Sequence, residues 1–440
     1  MRTHLFSVIA CGVFTTLCTS LANAQETNNE FSLSAQIRPR FEYRNGAYRP
    51  LQEGESPAIL VNNRTRLNFD YKNEDKLHLY VSLQNVNIWG QAPQIQVNDK
   101  TGGASIFEAY ASFPIAPKWN AKIGRQMIVL DDDRIFGSLD WHPAGRSHDA
   151  VNLNWKASDN FLLRTFFAFN QNYADNKAMN INSPAMQHFS PANAQPYQHM
   201  ETFYGLYNIS QSNRISFLLS NLGFKDDNTS DKVHNMQTFG FHYVGATNDW
   251  KYGLTSYFQT GKNAAGATKS AYMFALNAGY KFSDIFSLSG GIDYLSGRNA
   301  DDTSGKDKAF NPFSGTNHKF YGFMDYYYVP AVNPSGLINP YLTANFRTGE
   351  KSNLSATWHN FSSAGTVYDS KGNKKRGLGN EIDLVYTLKV QPYIGLQMGY
   401  STYFTTDALK TLKKTPNARS YQDWFWCSLN INPKIFSAKF

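Results

Sequence analysis

Residues 31–44 decide how this chain is to be read: Phe31-Ser32-Leu33-Ser34-Ala35-Gln36-Ile37-Arg38-Pro39-Arg40-Phe41-Glu42-Tyr43-Arg44. Every odd position is apolar, and every even position is polar, with three arginines and a glutamate among them. Successive side chains of a strand point to opposite faces, so this segment is a strand with one oily and one strongly polar face. Residues 64–71 repeat the pattern, with Thr65, Leu67, Phe69 and Tyr71 against Arg64, Arg66, Asn68 and Asp70. After the polar link 72–76, Leu77, Leu79, Val81 and Leu83 alternate with His78, Tyr80, Ser82 and Gln84, which marks a hairpin.

Working outward, period-two segments recur near 105–113, 118–127, 149–156, 161–170, 201–209, 213–222, 236–245 and 250–261. Others follow near 271–281, 286–296, 318–328, 338–348, 379–389, 392–404 and 421–432. With the first three the count is about 18 strands. Short links (72–76, 114–117, 157–160, 209–212, 246–249, 282–285, 390–391 and the longer 329–337) alternate with long ones. The long links are 45–61, 89–104, 128–148, 171–200, 223–235, 262–270, 297–317, 349–378 and 405–420. Residues 353–361 look partly extended and are placed inside the long link 349–378 to keep the alternation. This is the layout of an all-β transmembrane antiparallel barrel, with short periplasmic turns, long extracellular loops and both termini on the periplasmic side. A soluble β-sandwich also alternates, but so many strands would leave wide sheet edges to protect. Aromatic residues at strand ends add to the barrel reading: Trp119, Trp155, Trp250, Tyr326-Tyr327-Tyr328 and Trp424-Phe425-Trp426 fit girdles at the water–lipid boundary. The chain closes on Phe436, Ala438 and Phe440 at one parity, a terminal aromatic pattern of such barrels.

Composition agrees. Of 440 residues 42% are hydrophobic, 15% aromatic and 17% charged, and no set of long apolar runs builds a helical membrane bundle. The many aromatic residues exclude a disordered chain. Residues 1–24 read as a secretory signal: Arg2 in the n-region, an apolar stretch from Leu5 to Leu21, and Ala22-Asn23-Ala24 before Gln25. Cys11 and Cys18 leave with it, so only Cys427 remains and no internal disulfide can form. The net charge of +8 includes Arg2 and is scattered, which fits an anionic solute or anionic lipid headgroups and not nucleic acid. Residues 25–440 are read as a single barrel domain.

If the apolar parity faces lipid, the lumen receives Arg38, Arg40, Glu42, Arg64, Arg66, Asp70, Arg164, Asp293, Asp325, Arg347, Glu381, Asp383 and Lys389. Each of these either meets solute or pairs with a wall neighbour. The link 128–148 is unusual in holding Ile135, Phe136, Leu139 and Trp141 among its charges. It is expected to fold into the lumen as a constriction, the alternative being an extracellular loop packed on itself. Its three aspartates lack the ligand spacing of a calcium loop. Hydrolase, metalloprotease and phosphate-loop motifs are absent, leaving Ser147-His148-Asp149 as the one local cluster an outer-membrane hydrolase could use. An adhesin acting through 171–200 is a further reading. No cofactor and no metal are expected.

Several blocks resemble a known family. Gly124-Arg125-Gln126, Asp132-Asp133-Arg134-Ile135-Phe136-Gly137, Asp140-Trp141 and Gly145-Arg146-Ser147-His148-Asp149-Ala150 are similar to the alginate export family of outer-membrane porins, especially its Bacteroidetes-type members. Residues 311–320, 322–326 and 377–384 are also similar. The resemblance implies a monomeric 18-stranded barrel with an arginine-rich constriction, which in the best-known member carries the polyuronate alginate outward. It implies Arg125, Arg134 and Arg146 as constriction arginines, with Asp132, Asp133 and Asp149 as their partners. Parity places Arg125 with Ala121 and Ile123, so a luminal Arg125 requires a bulge near Gly124 or a position at the rim. The expected function is an outer-membrane channel for anionic saccharides or another small polar solute, with a general diffusion or nutrient-uptake porin as the alternative. Expected partners are outer-membrane lipid, lipopolysaccharide and, for export, periplasmic proteins that hand the polymer on.

Overall fold

Alternation is the local cause of each strand, and the surroundings of the two parities show what it serves. In the first strand Ile37 and Phe41 are exposed, whereas Arg40 and Glu42 are buried. The same inversion runs around the molecule. Phe167, Phe203, Phe217, Leu276, Leu342 and Ile382 are exposed, while Thr202, Ser216, Asp293, Asn339 and Asp383 are buried. A water-soluble domain does the opposite. Apolar outside with polar inside is the arrangement of a barrel in lipid, where a closed sheet satisfies every backbone group.

The structure is a computed structural model that describes residues 29–92, 94, 103–170, 197–225, 232–327 and 334–440, with the backbone of 179–180 and 183–184. The signal segment 1–24 and most of link 171–200 lie outside the described residues. The wall consists of β1 (Glu30–Asn45), β2 (Ala58–Lys72), β3 (His78–Ile88), β4 (Ser105–Ala116), β5 (Trp119–Gln126) and β6 (His148–Lys156). It continues through β7 (Phe161–Phe169), β8 (His199–Asn208), β9 (Asn213–Lys225), β10 (Val233–Thr247), β11 (Trp250–Gly261) and β12 (Ala271–Lys281). The last six are β13 (Phe286–Leu295), β14 (Leu337–Gly349), β15 (Ser352–Tyr368), β16 (Lys374–Gln391), β17 (Ile394–Thr405) and β18 (Tyr421–Ile431). Each pairs antiparallel with the next, and β18 returns to β1 through Phe41–Cys427 and Tyr43–Phe425. Lys434–Lys439 continues β18 along the lower half of β1 after a break at Asn432-Pro433. Asn29 and Phe440 then exchange backbone hydrogen bonds of 3.1 and 3.0 Å, closing an 18-strand barrel with both termini at the short-turn end.

Two sequence assignments are corrected here, and they cancel in the strand count. Residues 353–361 belong to β15, a strand of 17 residues, because Leu354, Ala356 and Trp358 alternate fully with Ser355, Thr357 and His359. Residues 318–327 form no strand. They fold inside the barrel from a 3₁₀ turn at Asn317–Lys319, with Tyr321, Met324, Tyr326 and Tyr327 all buried. Left-handed backbone at Gly322 (φ 80°) and Asp325 (φ 59°) breaks any extended run there.

The girdle is also amended. At the short-turn end Trp119 stacks on Trp155 at 5.6 Å and Trp250 meets Tyr280 at 4.9 Å. Tyr326 and Tyr327, by contrast, lie in the luminal segment, and Trp424 and Trp426 sit on the inward parity of β18, fully buried. The long-loop end carries a short helix, α1 (Asp407–Leu412), whose Thr406 hydroxyl caps Leu409 N–H at 3.2 Å.

Candidate functional site

Two long connections fill the upper lumen. The first leaves β5 after Gln126 and returns at His148; the second runs from β13 to β14. They join along a short seam. Gly137 N–H donates to Ser314 O at 2.9 Å, Thr316 N–H to Asp133 O at 2.9 Å, and Leu139 N–H to the Thr316 hydroxyl at 3.1 Å. A Cβ on Gly137 would stand 2.3 Å from that hydroxyl, so only glycine allows the approach. The apolar residues that set this link apart now have a role. Ile128, Leu130, Ile135 and Phe136 share one buried cluster with inward Phe166, Met200, Leu218, Leu222, Met236 and Met273. Asp131 adds polar anchors, accepting from the hydroxyls of Tyr204 and Ser216, both at 2.7 Å.

Arg134 is the deep anchor. Its guanidinium holds Asp132 and Asp293, both at 2.8 Å, and lies 4.0 Å over the ring of Phe320. Burial opposes its charge, but the two carboxylates outweigh burial and push its pKa above the ordinary arginine value. Asp133 turns the other way and meets Lys319 at 3.1 Å. Arg146 donates to the backbone carbonyls of Ser314 and Gly315, stitching the first connection to the second. Arg134 and Arg146 therefore hold loop to loop and loop to wall.

The tip of the first connection meets the β1–β2 wall. Asp140 accepts from Arg64 at 2.7 Å and lies 3.3 Å from Arg38 and 3.5 Å from Arg66. Arg64 is buried, whereas the Asp140 side chain remains 51% exposed. Burial raises the Asp140 carboxyl, but the Arg64 hydrogen bond and the three positive charges prevail and hold it below the ordinary aspartate range. Neighbouring His142 is depressed by burial and by Arg40. Arg40 donates to Trp141 O at 2.8 Å and covers the indole at 4.2 Å. On its other contacts Trp141 stacks against His318 at 4.3 Å and meets the edge of Trp426 at 4.6 Å. Glu42 takes Arg40 at 2.9 Å and Arg44 at 2.7 Å. Five inward arginines from two strands thus face two carboxylates.

The remaining sequence candidates fall elsewhere. Glu381 and Asp383 are buried on β16 and fasten the second connection, accepting from Met324 N–H at 2.7 Å and Phe323 N–H at 3.4 Å. Arg164 shares the inward parity of buried Phe166 and stands opposite Asn154 and Tyr204. Arg347 is exposed at the short-turn end of β14. Arg125 and Asp149 do not join the luminal set. The β4–β5 register runs unbroken through Gly124, so Arg125 keeps the outward parity of exposed Ile123 and pairs with Asp149 at 2.8 Å. The possible hydrolase cluster is also dispersed. Ser147 donates to Phe107 O at 2.6 Å, His148 turns inward to Tyr197 at 2.6 Å, and Asp149 faces out. Adjacent residues of an extended segment point apart, so they cannot assemble a triad.

Asp140 is the residue that sequence reasoning left out of the site. A signal for it exists: Arg38 and Arg64 stand directly opposite in the β1–β2 register, and like charges so placed need a carboxylate between them.

The comparisons with known proteins agree with this fold. Among solved structures, the chain is similar to Acinetobacter baumannii OccAB4 (11% identity, 93% of this chain and 99% of that one, TM-score 0.61). It is also similar to Pseudomonas aeruginosa OpdQ (12% identity, 92% and 98%, TM-score 0.60) and to the outer membrane protein OprD of the same organism (12% identity, 92% and 94%, TM-score 0.58). At such identities these likenesses speak for the barrel fold. No curated protein matches the sequence. The family model for alginate export matches residues 29–422. The chain is an outer-membrane barrel channel and belongs to the alginate export family.

Proposed function

We propose that this channel passes anionic saccharides of the polyuronate class, selected by the arginines that converge on the tip of connection 127–147. One observation carries the reading: Arg38, Arg64 and Arg66 focus on a single half-exposed carboxylate, Asp140, so that three cations share one close partner. Cations fixed along a passage with low-dielectric walls lower the energy of a passing carboxylate and raise that of a cation. Arginine suits the task because its planar fork binds carboxylate in two-point fashion and never loses its charge. Connection 127–147 is the constriction in this reading, with Arg134, Arg146, Asp132, Asp133, Glu381 and Asp383 fixing its shape. Arg164 and Arg347 add charge along the path. The closed sheet leaves no unpaired edge, which supports a working monomer. Targeting would use residues 1–24, cleaved before Gln25, and export of a polymer would require periplasmic proteins that deliver it.

Flux into liposomes tests the reading. Uronate oligomers are expected to cross faster than neutral oligosaccharides of equal length, and Arg64→Ala is expected to reduce that preference. Equal passage of both would favour a general diffusion or nutrient-uptake porin instead.

A further inference from the structure

We infer that a recess in the inner wall near the short-turn mouth, on β11–β14, is a docking subsite for a carboxylate-bearing oligosaccharide; this rests on the reading of the channel as one for anionic saccharides. The sequence makes the recess by leaving side chains out. Along one row of the register the inward neighbours are Gly253, Asn277, Gly291 and Tyr341. In the next row towards the turns they are Lys251, Gly279, Ser289 and Thr343. Three glycines and a serine among eight inward positions thin the wall, and a cavity of about 460 Å³ lies there. That volume falls in the range of small-ligand sites, which run from roughly 300 to 1,000 Å³.

The recess is shaped as well as empty. A Cβ on Gly291 would lie 2.7 Å from the Tyr341 hydroxyl, so glycine is what lets the phenol lie against the wall. A Cβ on Gly253 would come within 2.9 Å of the Asn277 amide. Asn277, Asn345 and Asn353 offer amides, and Ser287 and Ser289 offer hydroxyls. The rim carries Lys251, Lys281 and Arg347 against Asp249 and Asp284, and Lys281 is bound to Asp284 at 2.5 Å. Amides and hydroxyls match the hydroxyl groups of a sugar, an aromatic ring matches its apolar face, and the surplus cation matches a carboxylate. A neutral sugar would leave the cations unused, and a simple inorganic anion would leave the amides and ring unused. The position at the mouth formed by short turns means that solute arriving from that side meets the recess before the arginines around Asp140.

Planar-bilayer recording of the full mature chain tests this, with a uronate trisaccharide and maltotriose added to one side at a time. Uronate on the short-turn side is expected to interrupt the current with residence times roughly tenfold longer than from the long-loop side. Ser289→Tyr, which fills the recess at unchanged charge, is expected to abolish the long interruptions. Lys251→Gln is expected to shorten them several-fold, and Lys156→Gln, which removes a cation from the same end on β6, is expected to leave them unchanged. β-sheet circular dichroism confirms that each variant is folded. Wild-type interruptions in Ser289→Tyr, or equal shortening by Lys156→Gln and Lys251→Gln, would overturn the recess. If uronate still crosses liposomes preferentially in that case, the channel reading stands without it. If the wild-type channel passes maltotriose and not uronate, that reading falls and takes the recess with it.

Discussion

Asp140 holds three arginines with one carboxylate, and its protonation should be visible in the channel. Its pKa is depressed in the folded protein. Such a group stabilises the fold fully above its unfolded value, about 3.9, and loses that contribution as pH falls through the folded value. The Asp140 contribution to conductance is therefore expected to stay constant from neutral pH down to about 4 and to change below it. Asp140→Asn should show the altered conductance already at neutral pH, as read in bilayers across a pH series. Arg134 sits differently, sealed between Asp132 and Asp293. Removing one partner of a buried ion pair costs about 3–5 kcal/mol, because the remaining charges stay buried. Arg134→Ala is expected to lower stability by that order in urea unfolding.

Among the elements, the two inward connections are the ones that depend on each other. Gly137 sits where they touch, and Gly137→Val would drive a side chain into Thr316 and Asp133. The barrel should still assemble, since the seam contributes nothing to the strand ladder. Single-channel conductance is expected to rise, and a protease added to liposomes should cut near residues 137 and 315 in the variant only. The inward fold of the first connection was legible because Ile135, Phe136, Leu139 and Trp141 are too apolar for a solvated loop. The second was not. Residues 318–327 are so rich in aromatic side chains that they read as a strand, whereas their apolar groups serve packing inside the lumen. Period-two reasoning knows only lipid and water as the two sides of a segment. It cannot identify a stretch enclosed by protein on all sides, and for the same reason it took Trp424 and Trp426 for girdle residues.

At the scale of the whole molecule, the inversion of polarity sets the energetics. Leu342 and Thr343 are neighbours on β14, one exposed outward and one inward. Leu342→Lys is expected to cost about 2–4 kcal/mol if it lies near the bilayer midplane, and Thr343→Lys is expected to cost much less, as measured by refolding into liposomes. Arg164→Glu should assemble normally and shift the ion preference towards cations, because its side chain faces the lumen. The sequence alone determined the barrel class, the family and the lipid and lumen faces of the strands it identified, because alternation is written residue by residue; its count of 18 held only because the missed strand at 353–361 and the false one at 318–327 cancel. Only the tertiary structure decided which arginines meet. Arg38, Arg40, Arg64 and Arg66 come from two strands and Asp140 from a connection about 75 residues away from the nearer of them, so their convergence exists only once the barrel closes and the loop folds in. It also turned Arg125 and Asp149 outward, since a single unbroken register at Gly124 fixes the face of every residue that follows.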